Sequence, residues 1–213
     1  LTSKLQQDAI NRLRFSAKKT MVVAQQLYEG IEIGTGGPEG LITYMRTDSI
    51  RIAPEAAQEA LELIARDYGK EYALDTPRSF KNKNKVQDAH EAIRPTSVFN
   101  TPQKLAPFLT EDQFKLYDLI WKRFVASQMT QAQIDQKSIM IKAAGDYIFS
   151  VSGSTVRFSG FMKLYATEEK TTDKDIQALP RVEEGALLET QKITPQQHFT
   201  KPPPRFSEAS LVK

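Results

Sequence analysis

The sequence of 213 residues contains no cysteine, so no disulfide can hold its fold together. His90 and His198 are the only histidines, and without a thiolate they cannot form the usual four-ligand structural zinc site. No apolar run approaches the roughly 20 residues that cross a bilayer, and the first residues lack the apolar block of a signal peptide. These absences exclude the disulfide-rich, zinc-ribbon and membrane-spanning classes, and we expect a cytoplasmic protein.

A large excess of charge of one sign is also missing. The formal net charge of +3 is too small to indicate a nucleic-acid partner by itself. Positive side chains are concentrated in residues 78–87, which contain four and no acid, and in residues 1–19, which contain five and Asp8 as the one acid. Either segment could face phosphates, but on charge alone an ordinary solvated surface is the better explanation.

Hydrophobic content is ordinary, at 40%, and up to about residue 129 it recurs at helical spacing. Four helices are predicted, and each has a residue suited to its first turn or its cap. These residues are Thr2 or Ser3, Ser16, Pro54, and Thr110. The aromatic residues of the fourth helix belong to the core because they follow its apolar stripe. The first two helices are compatible with a helix-turn-helix, but any pair of antiparallel helices gives the same pattern.

The sequence after about Met129 predicts antiparallel strands instead of helices. Segments rich in β-branched and aromatic residues alternate with short turn sequences. The predicted strands are 137–143, 146–152, 155–164 and 186–193, with turns at 144–146 and 152–154. Residues 167–177 predict a charged loop, and three prolines at 202–204 predict a stiff connector before a final helix.

Only one group of acids looks like a metal site. Asp173 and Asp175 form a paired-acid motif, but they lie in the charged loop and the next alternate position, Gln177, is not a carboxylate. We therefore assign no metal-binding residue in this chain.

The residues that carry chemistry follow a glycine-rich loop. Residues 41–45 predict a short strand, on which Tyr44 and Arg46 would project from one face. A free tyrosine has a pKa of about 10, so it attacks a phosphodiester at neutral pH only where a positive charge stabilises the reaction. Arg46 is placed for that role, and residues 47–49 add two hydroxyls and a carboxylate. On spacing alone, packing of this pair against a neighbouring sheet remains the more common explanation.

A resemblance to a known family changes this balance. Residues 40–49, Gly-Leu-Ile-Thr-Tyr-Met-Arg-Thr-Asp-Ser, resemble residue for residue the active-site segment of bacterial type IA DNA topoisomerases. Residues 87–96, Gln-Asp-Ala-His-Glu-Ala-Ile-Arg-Pro-Thr, resemble a second signature of that family. Further blocks at 3–7, 24–30 and 207–213 are similar in the same order, so the resemblance spans the chain.

The resemblance implies a chemistry and a set of site residues. Tyr44 would be the nucleophile that forms an ester with the 5′ phosphate of a broken strand, Arg46 would bind that phosphate, and His90 would belong to the active site. A lone histidine is more often a surface or core residue, so His90 rests on the resemblance. On a helix, His90 and Arg94 would share one face. The residues expected to contact DNA are Thr43, Thr47, Asp48, Ser49, Arg94 and Ser207.

The resemblance also implies an α+β architecture. Residues 1–129 would form a helical, winged-helix-like domain with the tyrosine, 130–200 a β-rich segment of the arch, and 201–213 the start of a further helical domain. The parent enzyme would act on single-stranded regions of DNA and relax negative supercoils without ATP. Its Mg²⁺ would be held by an acidic domain absent from this chain, so we expect no cofactor and little or no activity here.

Two other functions fit parts of the sequence. A non-catalytic DNA-binding module would use the helix pair and the basic segment, and Tyr44 would only stack or pack. An interaction scaffold would use the β-rich segment and bind no DNA. The scaffold leaves Tyr44, Arg46, His90 and Arg94 without a common explanation.

Overall fold

The computed structural model of the protein describes residues 1–34, 36–80, 90–165 and 179–212. Helices come first and a long antiparallel hairpin follows, so the predicted α+β class is confirmed. The helices are α1 (Thr2–Asp8), α2 (Ala17–Glu29), α3 (Pro54–Asp67), α4 (Pro102–Leu105), α5 (Glu111–Gln128) and α6 (Glu208–Leu211). The strands are β1 (Ile31–Glu32), β2 (Pro38–Glu39), β3 (Gln133–Lys142) and β4 (Ile148–Phe158). In these four ranges no helix is long and apolar enough to cross a membrane.

The long helices begin at the residues that the sequence predicts. Ser16 caps α2, Pro54 opens α3, and Thr110 forms a reciprocal capping box at the start of α5. Helix α1 begins without a side-chain cap. The hydroxyl of Thr2 instead donates to the carbonyl of Met45, 2.7 Å away, which ties the start of α1 to the segment that carries Tyr44.

Helix α5 is the centre of the helical body and contacts α2, α3 and α4. Its aromatic residues Tyr117, Trp121 and Phe124 are buried, as predicted, whereas Phe114 is only partly buried. Two of them satisfy their polar atoms on backbone carbonyls: Tyr117 donates to Asn100 at 2.6 Å and Trp121 donates to Val98 at 2.8 Å. Burial also raises the pKa of the Tyr117 phenol, so this tyrosine is a structural residue.

The hairpin of β3 and β4 is a two-stranded ribbon that is largely exposed. Its turn lies at residues 144–146, as predicted, and further from the turn Ile139 pairs with Val151. The second predicted turn, at 152–154, is wrong because those residues lie inside β4. Ser152 stands opposite Ser138, and their hydroxyls are 2.9 Å apart. Small polar residues are tolerated there because neither face of the ribbon is part of a core.

Tyr72 joins the root of the hairpin to the helical body. Its ring lies 4.8 Å from that of Phe158, and its hydroxyl lies 3.2 Å from that of Ser159. Its carbonyl accepts a hydrogen bond from the Thr130 amide at 2.9 Å. These contacts fix where the ribbon leaves the helices.

The chain returns to the helical body at its end. The strand predicted at 186–193 is wrong: these residues form no strand, and Leu187 is fully exposed. A β-like sequence without a neighbouring strand has no partner for its backbone groups. Helix α6 contacts α1, and Ala209 is buried. The predicted domain boundaries stay predictions, although α5 and β3 lie on either side of residue 129.

Candidate active site

The segment that carries Tyr44 is an extended loop that forms a single bridge. The predicted strand at 41–45 is wrong, since only Ile42 forms a bridge, and its partner is Pro95. Proline has no N–H to continue a ladder. Leu41 and Ile42 are both buried, but from Met45 to Ser49 buried and exposed residues alternate, with Arg46 and Asp48 exposed. The shared face of Tyr44 and Arg46 therefore stays a prediction.

Residues 90–96 run alongside this segment as a second extended loop. The predicted helical relation between His90 and Arg94 is wrong, because no helix includes either residue. Thr43 holds the two loops together. Its hydroxyl donates to the Ala92 carbonyl at 2.8 Å and accepts from the Arg94 amide at 3.0 Å, while its own amide donates to the Arg94 carbonyl. The hydroxyl of Thr43 is thus engaged in hydrogen bonds with the protein backbone.

Tyr44 lies between two other rings. The ring of Tyr28, in the last turn of α2, approaches it edge-on at 5.4 Å with an interplanar angle of 65°. The imidazole of His90 lies 5.4 Å away on a tilted plane. Tyr44 is partly buried, whereas Tyr28 and His90 are exposed. The structure thus brings His90 to Tyr44 through loop packing.

Arg46 supplies an exposed positive charge next to Tyr44 in the chain. Its guanidinium makes no hydrogen bond or ion pair with another residue in the part of the chain that the structure describes. Two residues of extended backbone span at most about 7 Å between Cα atoms, so a guanidinium and a phenol at this spacing can reach one phosphate. Asp48 is also exposed.

Thr47 and Ser49, by contrast, turn inward and are buried. The hydroxyl of Thr47 accepts from the Ser49 amide at 3.0 Å, and the hydroxyl of Ser49 accepts from the Arg51 amide at 3.2 Å. Their side chains shape the loop that presents Arg46 and Asp48.

The guanidinium of Arg94 is hydrogen-bonded to other residues of the protein. Its Nε and Nη2 donate to one carboxylate oxygen of Glu91, at 3.0 and 2.8 Å, and Nη1 donates to the carbonyl of Pro95 at 2.9 Å. Only 12% of the Arg94 side chain is exposed. This guanidinium stabilises the 90–96 loop. It can contact DNA only if its hydrogen bonds to Glu91 break.

Ser207 lies away from Tyr44. It caps α6, and the neighbouring Glu208 accepts a hydrogen bond from the amide of Ala17, at the start of α2. Tyr28 is at the other end of that helix, 11 residues further on, which corresponds to about 17 Å at 1.5 Å per residue. A DNA strand that touched both Ser207 and Tyr44 would follow the length of α2.

Several predicted features lie outside the described residues. They include the lysines of the basic segment 78–87, the first part of the 87–96 signature, and the acids Asp173 and Asp175. Arg78 is described, and its guanidinium donates to the carbonyls of Ser127 and Met129. In the described ranges, no group of three histidine or acidic side chains could hold a metal ion.

A largely apolar cavity of about 270 Å³ lies elsewhere, between α1, α5 and the two loops. Ile50, Ile52 and Ile93 line it, whereas Tyr44 and His90 do not. It does not belong to the group of residues around Tyr44.

Two neighbours of the site were not foreseen from the sequence. Tyr28 lies in the last turn of α2, and its ring is exposed beside Tyr44. Thr2 or Ser3 is predicted to cap the first helix, but the hydroxyl of Thr2 bonds to the carbonyls of Met45 and Thr47. Periodicity assigns a residue to a face of its own helix and says nothing of which loop meets that face.

Comparison with known proteins gives matches to a family model and to solved structures. A family model described as DNA topoisomerase matches residues 1–213. The structure of full-length topoisomerase I from Thermotoga maritima, in a monoclinic crystal form, superposes with a TM-score of 0.80 and is 41% identical in sequence. The match covers 99% of this chain and 33% of that chain, so these residues span about a third of the length of the T. maritima protein.

Proposed function

Since the chain belongs to the bacterial type IA DNA topoisomerases, we propose that Tyr44 is the nucleophile of a DNA strand-passing enzyme. The observation that carries the proposal is the partly buried Tyr44 ring, set between Tyr28 and His90 and two residues from the exposed Arg46.

The proposed step exchanges one phosphodiester for another. The phenol oxygen of Tyr44 bonds to the phosphorus, the bond from phosphorus to the 3′ oxygen breaks, and the phenolic proton leaves while the 3′ oxygen gains one. His90 is close enough to the phenol ring to take part in the proton movement, and Arg46 stabilises the charge on the phosphoryl oxygens. The reverse attack reseals the strand. Bond energy is retained, so relaxation of negative supercoils uses the strain of the DNA and no ATP.

The DNA contacts belong to the same proposal. Asp48 and Arg46 are exposed and meet the strand directly. The hydroxyls of Thr43, Thr47 and Ser49 form hydrogen bonds with the backbone that shape the loop. Any contact they make with DNA is an additional hydrogen bond from a hydroxyl that keeps its backbone partner. The contacts predicted for Arg94 and Ser207 stay predictions. The substrate is single-stranded DNA in a cytoplasmic enzyme.

The proposed role of Mg²⁺ belongs to the full-length enzyme. The described residues offer no group that fits the ion. We therefore propose that an acidic domain outside these 213 residues binds it. On this view the chain alone does not relax supercoiled plasmid, and efficient Mg²⁺-dependent relaxation by the isolated chain would contradict that part of the proposal.

Labelled single-stranded oligonucleotides test the chemistry in the full-length protein. A 5′-phosphotyrosyl link transfers a label at the 3′ end of the oligonucleotide to the protein, while a label at the 5′ end leaves with the free fragment. We expect Tyr44→Phe to abolish the adduct and Tyr147→Phe, in the hairpin turn, to retain it. Arg46→Ala should slow its formation on the order of a hundredfold.

A wild-type protein that binds the oligonucleotide but forms no adduct would contradict the proposal and favour the non-catalytic binding module. Transfer of the 5′-end label instead of the 3′-end label would contradict the assigned polarity.

A further inference from the structure

Tyr28 occupies an unusual position for an aromatic residue of a helix. It lies in the last turn of α2, the residue is 40% exposed, and its ring contacts Tyr44 edge-on. Leu27, its neighbour in the chain, is fully buried and anchors the helix in the core. The ring of Tyr28 is therefore left at the surface beside the nucleophile.

The backbone fixes the distance between Tyr28 and the segment of Tyr44. The amide of Leu41 donates to the carbonyl of Leu27 at 2.7 Å. At Gly40, an added Cβ would lie 2.7 Å from the carbonyl oxygen of Tyr28, closer than any side chain allows. The end of α2 and the start of the Tyr44 segment thus meet at backbone contact, which keeps Tyr28 close to the segment that carries Tyr44.

The ring contact acts on the orientation of the phenol. An edge-to-face pair at 5.4 Å is in the favoured geometry for aromatic side chains. Its attraction corresponds to a two- to tenfold preference for the orientation of the Tyr44 ring that makes this contact. His90 contacts the Tyr44 ring as well, but it belongs to an extended loop. Tyr28 belongs to a helix of 13 residues and is the stiffer support.

We propose that Tyr28 is a positioning residue that holds the Tyr44 ring in the orientation from which its hydroxyl attacks the phosphate. This inference rests on the proposed role of Tyr44. It assigns the effect to the ring of Tyr28 and gives its hydroxyl no part. An exposed tyrosine can instead stack on a nucleobase, but the ring here is already engaged with Tyr44, which favours positioning.

Single-turnover cleavage of a single-stranded oligonucleotide by the full-length protein separates the two roles. The maximal rate of adduct formation and the half-saturating concentration are measured for Tyr28→Leu, Tyr28→Met and Tyr28→Phe. Leucine and methionine suit a helix but have no ring. We expect both to lower the maximal rate two- to tenfold with half-saturation unchanged, and Tyr28→Phe to match the wild type. Tyr147→Leu, at an exposed tyrosine of the hairpin turn, is the matched control and should change neither value.

Each other result overturns the inference in a recognisable way. A raised half-saturating concentration at an unchanged maximal rate would assign Tyr28 to base stacking. Wild-type values in both ringless variants would remove any role for the ring, and a slow Tyr28→Phe would assign the effect to the hydroxyl. A lowered melting temperature identifies a ringless variant that is misfolded. The other ringless variant then tests the inference. A wild-type protein without an adduct would refute the role of Tyr44 itself, whereas a normal adduct with unaffected Tyr28 variants refutes only the present inference.

Discussion

At the scale of single residues, the tyrosines of this chain differ by how the protein holds them. Tyr117 is fully buried and bonded to a carbonyl, and Tyr147 is 74% exposed at the hairpin turn. Tyr44 is between these extremes: its ring packs against the core and against two neighbouring rings, but it is not buried. A nucleophile requires this combination, because a buried phenol cannot reach DNA and a free one is not oriented.

The ion pair between Glu91 and Arg94 gives a prediction at this scale. Glu91→Gln removes the charge that holds the guanidinium, and the pair is intermediate between exposed and buried. We expect the free energy of unfolding to fall by about 1–2 kcal/mol, between the values typical of surface and buried pairs. Urea denaturation measures the change.

Glu111→Gln is the control, since Glu111 pairs with Lys115 on an exposed helix face and should cost less than about 0.5 kcal/mol. The affinity for single-stranded DNA is measured in parallel. Tighter binding by Glu91→Gln at unchanged stability would mean that Arg94 is a phosphate ligand that Glu91 restrains, and not a clamp of the loop.

The roles of Arg46 and Arg94 mark the limit of sequence reasoning about the site. Both were assigned to phosphate from motif and resemblance. Arg46 has no protein partner among the described residues, whereas Arg94 bonds to Glu91 and to Pro95. A side chain's partner depends on which loops meet, and the motif does not contain that information.

At the scale of elements, prediction succeeded where the signal is local. The starts of α2, α3 and α5 were predicted from Ser16, Pro54 and Thr110, because a cap acts within one turn of its own helix. Strand prediction was less reliable, because a strand depends on a partner elsewhere in the chain. Residues 186–193 have a β-like sequence without a partner, and residues 41–45 form a single bridge, between Ile42 and Pro95.

The root of the hairpin gives a prediction at this scale. Gly160 has a φ of +48°, and a Cβ there would lie 2.5 Å from the backbone of Gln131. Gly160→Ala therefore combines a strained conformation with a backbone clash. We expect a loss of more than 2 kcal/mol in the free energy of unfolding, measured by urea denaturation.

Gly145→Ala is the matched control in the hairpin turn. Its φ is +75°, but an added Cβ would meet only the ring of Tyr147, at 3.7 Å. The cost should be the strain alone, about 1 kcal/mol. Equal losses at Gly145 and Gly160 would show that the close approach to Gln131 does not constrain the root.

At the scale of the whole molecule, a helical body holds Tyr44 and an exposed ribbon leaves this body at Tyr72. The outer part of the ribbon presents apolar side chains to solvent, including Met140, Ile148 and Phe149. The T. maritima topoisomerase I is about three times as long as the part that this chain matches. Strand passage, metal binding and closure around DNA are therefore properties that we propose for the full enzyme, whereas placement of the phenol belongs to these residues.

Identification of the residue bonded to DNA tests the central claim most directly. The adduct of the full-length protein with a single-stranded oligonucleotide is digested with nuclease and protease, and the nucleotide-bearing peptide is fragmented by mass spectrometry. The account predicts a phosphate ester on the oxygen of Tyr44. An ester on Tyr28, 5.4 Å away between ring centres, or on any other residue would contradict it.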